Sequence, residues 1–142
     1  IARRLSQSRP ADMAPLNVLV QVNVSGEASK SGVPPVALAA LAHQVAALPR
    51  LALRGLMAIP APTGDTALQR RQFAAVRVLF EHLQQAGLAL DTLSMGMSED
   101  MDSAILEGAT LVRIGTAIFG ERTTNATGLR RPPAPPGAKA AT

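Results

Sequence analysis

The sequence predicts an α/β domain built on a parallel sheet. Three observations carry this. Strand-like and helix-like segments alternate four times along the chain; the segment VLVQVNV (18–24) alternates with period two; and the segments 35–48 and 66–86 repeat apolar residues at helical spacing.

The chain opens with a helix over residues 1–8. In the first strand Val18, Val20, Val22 and Val24 share one face, and Leu19, Gln21 and Asn23 share the other. The stretch SGEASKSGV (25–33) is rich in Gly and Ser and reads as a loop. In the helix at 35–48, Leu38, Leu41, Val45 and Leu48 form the apolar stripe, and Pro35 suits a first turn. A second strand, ALRGLMAI (52–59), is stopped by Pro60 and Pro62. Phe73, Val76, Phe80 and Leu83 make the stripe of the helix at 66–86, with Gly87 at its C-terminal cap. DTLSMGM (91–97) is a third strand. Ser98 then caps a short helix with Glu99 and Asp100 in its first turn, and Gly108 ends it. TLVRIG (110–115) is a fourth strand, followed by a short helix at 116–120. Residues 1–122 are thus expected to fold. Residues 123–142, rich in Pro and Ala with scattered basic residues and no periodicity, are expected to form a disordered tail.

Composition narrows the function classes. The chain has 142 residues, of which 47% are hydrophobic, but only three Phe and no Tyr or Trp, so its core is aliphatic. With no Cys, disulfides and thiolate metal sites are excluded. No apolar run reaches the roughly 18 residues of a membrane span, and no signal peptide is visible; a cytoplasmic protein without a membrane partner is expected. The first residue is Ile1 rather than Met, so the expectation is that a segment upstream is missing. The net charge of +4 is concentrated at the end, where Arg122, Arg130, Arg131 and Lys139 face only Glu121. A nearly neutral body without an aromatic platform is a poor nucleic-acid binder.

Functional groups in a parallel α/β fold gather at the C-terminal ends of the strands. On the third strand Ser94, Gly96 and Ser98 form a small, polar face opposite Leu93, Met95 and Met97. On the fourth, Arg113 sits among apolar neighbours, where an unpaired charge is costly to bury. Its planar fork suits an anion or a ring nitrogen; a salt bridge or an exposed edge would equally account for it. Ser98 and Gly115-Thr116 each precede a short helix, where free backbone N–H groups favour phosphate. Glu99, Asp100 and Asp102 have no His or Cys beside them and read as helix-terminal carboxylates rather than a metal site. His43 and His82 lie on separate helices and read as surface residues. The glycosylation-like Asn23-Val24-Ser25 and Asn125-Ala126-Thr127 carry no weight without a secretory signal.

At three stretches a family resemblance emerges: VLVQVNVSGEASKSG (18–32), LRGLMAIPAP (53–62) and LSMGMSEDMDSAILEGATLVRIGTAIFGER (93–122). Together they make residues 1–122 resemble the pyridoxal 5′-phosphate (PLP) homeostasis proteins, single-domain (β/α)8 barrels similar to the barrel domain of alanine racemase. The resemblance implies a partial (β/α)8 barrel of the TIM type, made of about its last four β/α units. It also implies a role in binding and buffering PLP in vitamin B6 homeostasis, without a catalysed reaction. Carried over by motif, Ser98 in GMS (96–98) would bond the phosphate, and Gly115 and Thr116 in RIGT (113–116) would complete the phosphate cup. Arg113 would face the pyridine nitrogen, disfavouring its protonation and weakening the cofactor as an electron sink. Met57 would lie near the ring.

The departure from the family is equally specific. Its Schiff-base lysine lies on the first barrel strand, which has no counterpart here. The only lysines are Lys30, in the loop at 25–33, and Lys139, in the tail. Lys30 is expected to be a loop cation or phosphate contact rather than a covalent partner, and binding of PLP by this chain is expected to be weak. Two other functions stay open. An alanine-racemase-like enzyme would need a lysine and a tyrosine across the ring, and the chain has neither in place. A half-barrel interaction module without cofactor follows from geometry, because four strands cannot close an eight-stranded barrel. Self-association, or dependence on the missing N-terminal half, is expected on the same ground.

Overall fold

The structure, a computed structural model, describes residues 1–26 and 31–120. Lys30, Lys139 and the expected tail at 123–142 lie outside the described residues. The elements run α1 (Ala2–Ser8), β1 (Leu16–Gln21), α2 (Pro35–Ala46), β2 (Leu51–Met57), α3 (Thr66–Gln85), β3 (Thr92–Ser94), α4 (Met101–Leu106) and α5 (Thr116–Phe119). The strands form one sheet in the order β1-β2-β3, and both pairings are parallel. Helices α2 and α3 make the two crossovers that parallel neighbours require.

Burial of the predicted stripes holds the sheet and helices together. Leu38, Ala42 and Val45 of α2 and Phe73, Val76, Phe80 and Leu83 of α3 are buried with Val20, Leu53, Leu56 and Leu93 of the strands. The helix ends follow local chemistry. Pro35 occupies the first turn of α2, where its missing N–H has no partner to lose. Asp65 Oδ1 accepts hydrogen bonds from the Ala67 and Leu68 amides at 2.9 and 3.1 Å and starts α3. Gly87, at φ +90°, lets the chain leave α3. Ser6 Oγ donates to the Pro49 carbonyl at 2.6 Å and pins α1 to the turn before β2.

β1 and β2 slip by one residue between Val18 and Leu19, whose partners are Leu53 and Gly55. Arg54 is the extra residue of this bulge, and its exposed side chain pairs with Asp91 just before β3. At Gly55 a Cβ would overlap the Thr92 carbonyl, so glycine is what lets β2 and β3 approach.

Four expectations are corrected. The first strand ends at Gln21 rather than residue 24; Val22 and Val33 make only an isolated bridge, and Asn23 Oδ1 accepts from the Gly26 amide at 3.1 Å to start the loop. The third strand ends at Ser94 rather than residue 97, because Gly96 at φ +93° turns the chain out of the sheet. The alternation expected there breaks with it: Met95 is buried but Met97 is exposed. The fourth strand is not formed. Residues 110–113 run beside β3 through the bonds Leu111 N to Leu93 O (3.1 Å), Met95 N to Leu111 O (3.1 Å) and Arg113 N to Gly96 O (3.0 Å), with one bridge at Ser94–Leu111. A three-residue β3 followed by a turn gives this segment no edge along which a ladder can extend. Finally, Ser98 does not cap a helix; α4 begins at Met101 with Asp100 at its N-cap.

Arg50 joins α2 to β2 at φ +63°, the one positive φ on a non-glycine among the described residues. Its carbonyl accepts from the Leu16 amide at 2.9 Å, while its Nε is buried without a partner. The left-handed conformation costs an L-residue about 1–2 kcal/mol, and glycine recovers part of that against its larger unfolded-state entropy. Arg50→Gly is therefore expected to stabilise the chain by about 0.5–1 kcal/mol, read as a higher midpoint in urea at unchanged slope.

Candidate functional site

A cavity of about 340 Å³ opens at the C-terminal ends of β2 and β3, within the size range of small-molecule sites. One wall is the chain leaving β2, including Ala58, Pro60 and Thr63. The facing wall is the turn at 96–100, and Arg113 and Thr116 close the side nearest α5. The turn is built by Gly96: besides its positive φ, a Cβ there would come within 2.5 Å of Ala104 Cβ, so α4 packs directly on its backbone. Asp100 Oδ1 accepts from the Met97 amide at 2.6 Å and fixes the turn before α4 begins.

Arg113 is the cation of the cavity. One guanidinium nitrogen donates to both the carbonyl and the hydroxyl of Ser94, at 3.0 and 2.6 Å; the other donates to the Ala58 carbonyl at 3.0 Å. The fork thus bridges the ends of β2 and β3. Among the described residues no carboxylate lies within ion-pair distance of it. Burial holds Arg113 below the ordinary guanidinium range, with the charge of Asp100 acting in the opposite direction; it remains a cation at any physiological pH. Thr116 Oγ1 and Ser98 Oγ meet at 3.1 Å, at the same end of the cavity.

The structure therefore brings Ser98, Arg113 and Thr116 together. Gly115 is the exposed N-cap of α5, outside the cavity lining, with nothing near where a Cβ would stand. Met57 ends β2 half-buried and is also outside the lining. His43 and His82 are exposed on α2 and α3, as surface residues would be. No cluster of three metal-ligating side chains occurs among the described residues. Sequence reasoning missed Gln69 of α3, buried and lining the cavity. Its signal was available: Gln69 stands four residues before Phe73, on the apolar stripe itself. Glu99 and Asp100 also line the cavity.

Residues 1–123 match the family described as the alanine racemase N-terminal domain, and the chain belongs to that family. Within it, the chain is similar to pyridoxal phosphate homeostasis proteins, with 62% identity over 122 residues to that of Pseudomonas aeruginosa and 54% over 122 residues to that of Escherichia coli K12. Each match covers 86% of this chain and 52% of the relative, so the chain spans about half the length of the curated relatives it matches. Among solved structures, PipY of Synechococcus elongatus with PLP bound superposes with a TM-score of 0.67 at 35% identity, over 83% of this chain and 54% of PipY.

These residues fit one end of PLP. Two adjacent hydroxyls can hydrogen-bond a phosphate, and a guanidinium without a carboxylate partner can face an anion or a ring nitrogen. No described residue is a lysine, so the wall described here offers no amine for covalent attachment. As in the relatives' fold class, the group would lie beyond the strand ends. No described helix is long and apolar enough to cross a membrane.

Proposed function

We propose that this chain supplies the phosphate-side wall of a PLP site in a protein that carries and buffers PLP and catalyses no reaction on it. PLP, when bound to a protein, supplies an electrophilic aldehyde and an electron-withdrawing ring. In this reading Ser98 and Thr116 hold its phosphate, and Arg113 faces the pyridine nitrogen as a fixed cation. Gly115 contributes through backbone and Met57 from the sheet side. The observation that carries the reading is Arg113: a part-buried guanidinium fixed by three oxygen acceptors at the ends of two strands, without a carboxylate partner among the described residues. A cation at the ring nitrogen disfavours its protonation, which suits a carrier better than a catalyst.

The same reading takes the sheet as part of a (β/α)8 barrel, about its last four β/α units, with residues 1–122 as the domain and 123–142 as a tail. Leu111, Ile114, Ile118 and Phe119 are exposed beyond β3, which supports a partner on that side: further strands of the barrel, or a second copy of the chain. Nucleic acid and membrane are not among its partners, and the cytoplasm is its place of action.

The phosphate assignment is tested by comparing PLP with pyridoxal, which lacks the phosphate. The wild-type chain is expected to bind PLP at least tenfold more tightly, and the double variant Ser98→Ala/Thr116→Val to lose most of that preference while its affinity for pyridoxal stays within twofold. A double variant that keeps the full preference would place the phosphate elsewhere.

A further inference from the structure

Burying a primary amide is costly unless both of its ends are hydrogen-bonded. Gln69 is 8% exposed, on a helix face otherwise made of Phe73, Val76, Phe80 and Leu83. Both of its ends are satisfied, one by a wall of the cavity and the other by the helix that follows the facing wall. Its Nε2 donates to the Thr63 carbonyl at 2.8 Å, in the segment leaving β2. Its Oε1 accepts from Ser103 Oγ at 2.8 Å, in α4 directly after the turn that carries Ser98. Ser103 is itself 3% exposed. A single side chain therefore ties α3, the 60–63 segment and α4 together at the cavity.

We propose that Gln69 is a positioning residue: it sets the spacing between the two walls, and through them the place of Ser98 relative to Arg113. This rests on the proposed PLP site. Leucine or methionine would fill the same volume on the stripe, so packing alone does not call for an amide here. The amide is needed because one neighbour is an acceptor and the other a donor. Its orientation follows from that pair: the nitrogen faces the carbonyl and the oxygen faces the hydroxyl.

The test uses the 142-residue chain and the variants Gln69→Met, Gln69→Glu and Ser103→Ala, with two readouts. The first is amide hydrogen exchange without ligand, which reports the walls independently of any PLP binding. Gln69→Met is expected to speed exchange at least tenfold in both 58–65 and 96–103 while leaving β1 unchanged. The second is PLP affinity. Gln69→Met and Ser103→Ala are each expected to weaken it about fivefold to tenfold, and together by less than the product, because both break one network.

Gln69→Glu supplies a readout that simple filling of space would not move. A protonated carboxyl can donate to the Thr63 carbonyl; a carboxylate cannot. Burial and the nearby Glu99 and Asp100 favour the neutral form, while Arg113, Arg70 and the charge-paired Glu107 set the remaining field. Relative to wild type at each pH, PLP affinity of Gln69→Glu is expected to recover about tenfold between pH 8 and pH 5.5. If Gln69→Met does not fold, this profile decides the matter. Equal exchange in wild type and Gln69→Met, or a Gln69→Glu affinity ratio that is flat with pH, would overturn the proposal. So would a Ser103→Ala variant with full affinity beside a weakened Gln69→Met, which would make Gln69 a direct ligand contact instead. Should wild type show no preference for PLP over pyridoxal, the site assignment fails, and the exchange experiment still decides whether Gln69 ties the walls.

Discussion

Arg113→Ala is expected to lower PLP affinity by one to two orders of magnitude. The figure follows from losing a hydrogen-bonding cation at an anionic ligand, worth about 1.5–3 kcal/mol. The loss has two parts. One is the charge facing the ligand. The other is the bridge from Ser94 to Ala58, which ties the ends of β3 and β2 together beside the cavity. Arg113→Lys separates them: an ammonium keeps the charge but cannot reproduce the planar fork that reaches both strand ends. Its affinity is expected to fall between wild type and Arg113→Ala. Equilibrium titration followed by PLP absorbance measures all three. Equal affinity in wild type and Arg113→Ala would remove Arg113 from the site.

Gly96→Ala is expected to destabilise the chain by about 2–4 kcal/mol. Two costs combine. At φ +93° an L-residue is strained, and its Cβ would stand 2.5 Å from Ala104 Cβ. Ala104 is a fully buried residue of α4, so it has nowhere to move. Urea denaturation of Gly96→Ala, Ala104→Gly and the double variant separates the terms. The double variant is expected to be more stable than the sum of the single effects implies, because the collision is gone, while the backbone strain persists. Strict additivity would mean that the two residues do not meet.

The parts of the fold visible in the sequence are those governed by local periodicity and capping. Phe73, Val76, Phe80 and Leu83 announce α3, and Pro35 and Gly87 mark helix ends that the structure places as read. The parts that were misread depend on partners distant in sequence. TLVRIG has the composition of a strand, yet it lacks a ladder because Gly96 ends β3 after three residues. The DTLSMGM alternation fails for the same reason. Asp100 rather than Ser98 precedes α4, since the Asp100 carboxylate is drawn to the Met97 amide and closes the turn first.

The candidate site divides along the same line. Ser98, Arg113 and Thr116 were legible as polar groups at strand ends, and the cavity gathers them. What the sequence left open for Arg113, ligand contact or salt bridge, is narrowed by its three oxygen acceptors and the absence of a carboxylate within ion-pair reach among the described residues. Gln69 could be noticed as a polar residue on the apolar stripe, but its role could not be read, because it depends on Thr63 and Ser103, 6 and 34 positions away. Met57 entered through resemblance alone and Gly115 also through its place before a short helix, and the cavity lining includes neither.

The central claim is that this chain holds the phosphate side of PLP and not its covalent partner. It is tested most directly by titrating the purified 142-residue chain with PLP, reducing with borohydride and weighing the product by mass spectrometry, with Lys30→Ala and Arg113→Ala in parallel. The account predicts weak, reversible binding that Arg113→Ala diminishes, with no stoichiometric reduced adduct. A single stoichiometric adduct that disappears in Lys30→Ala would contradict it, and would assign the covalent role to Lys30.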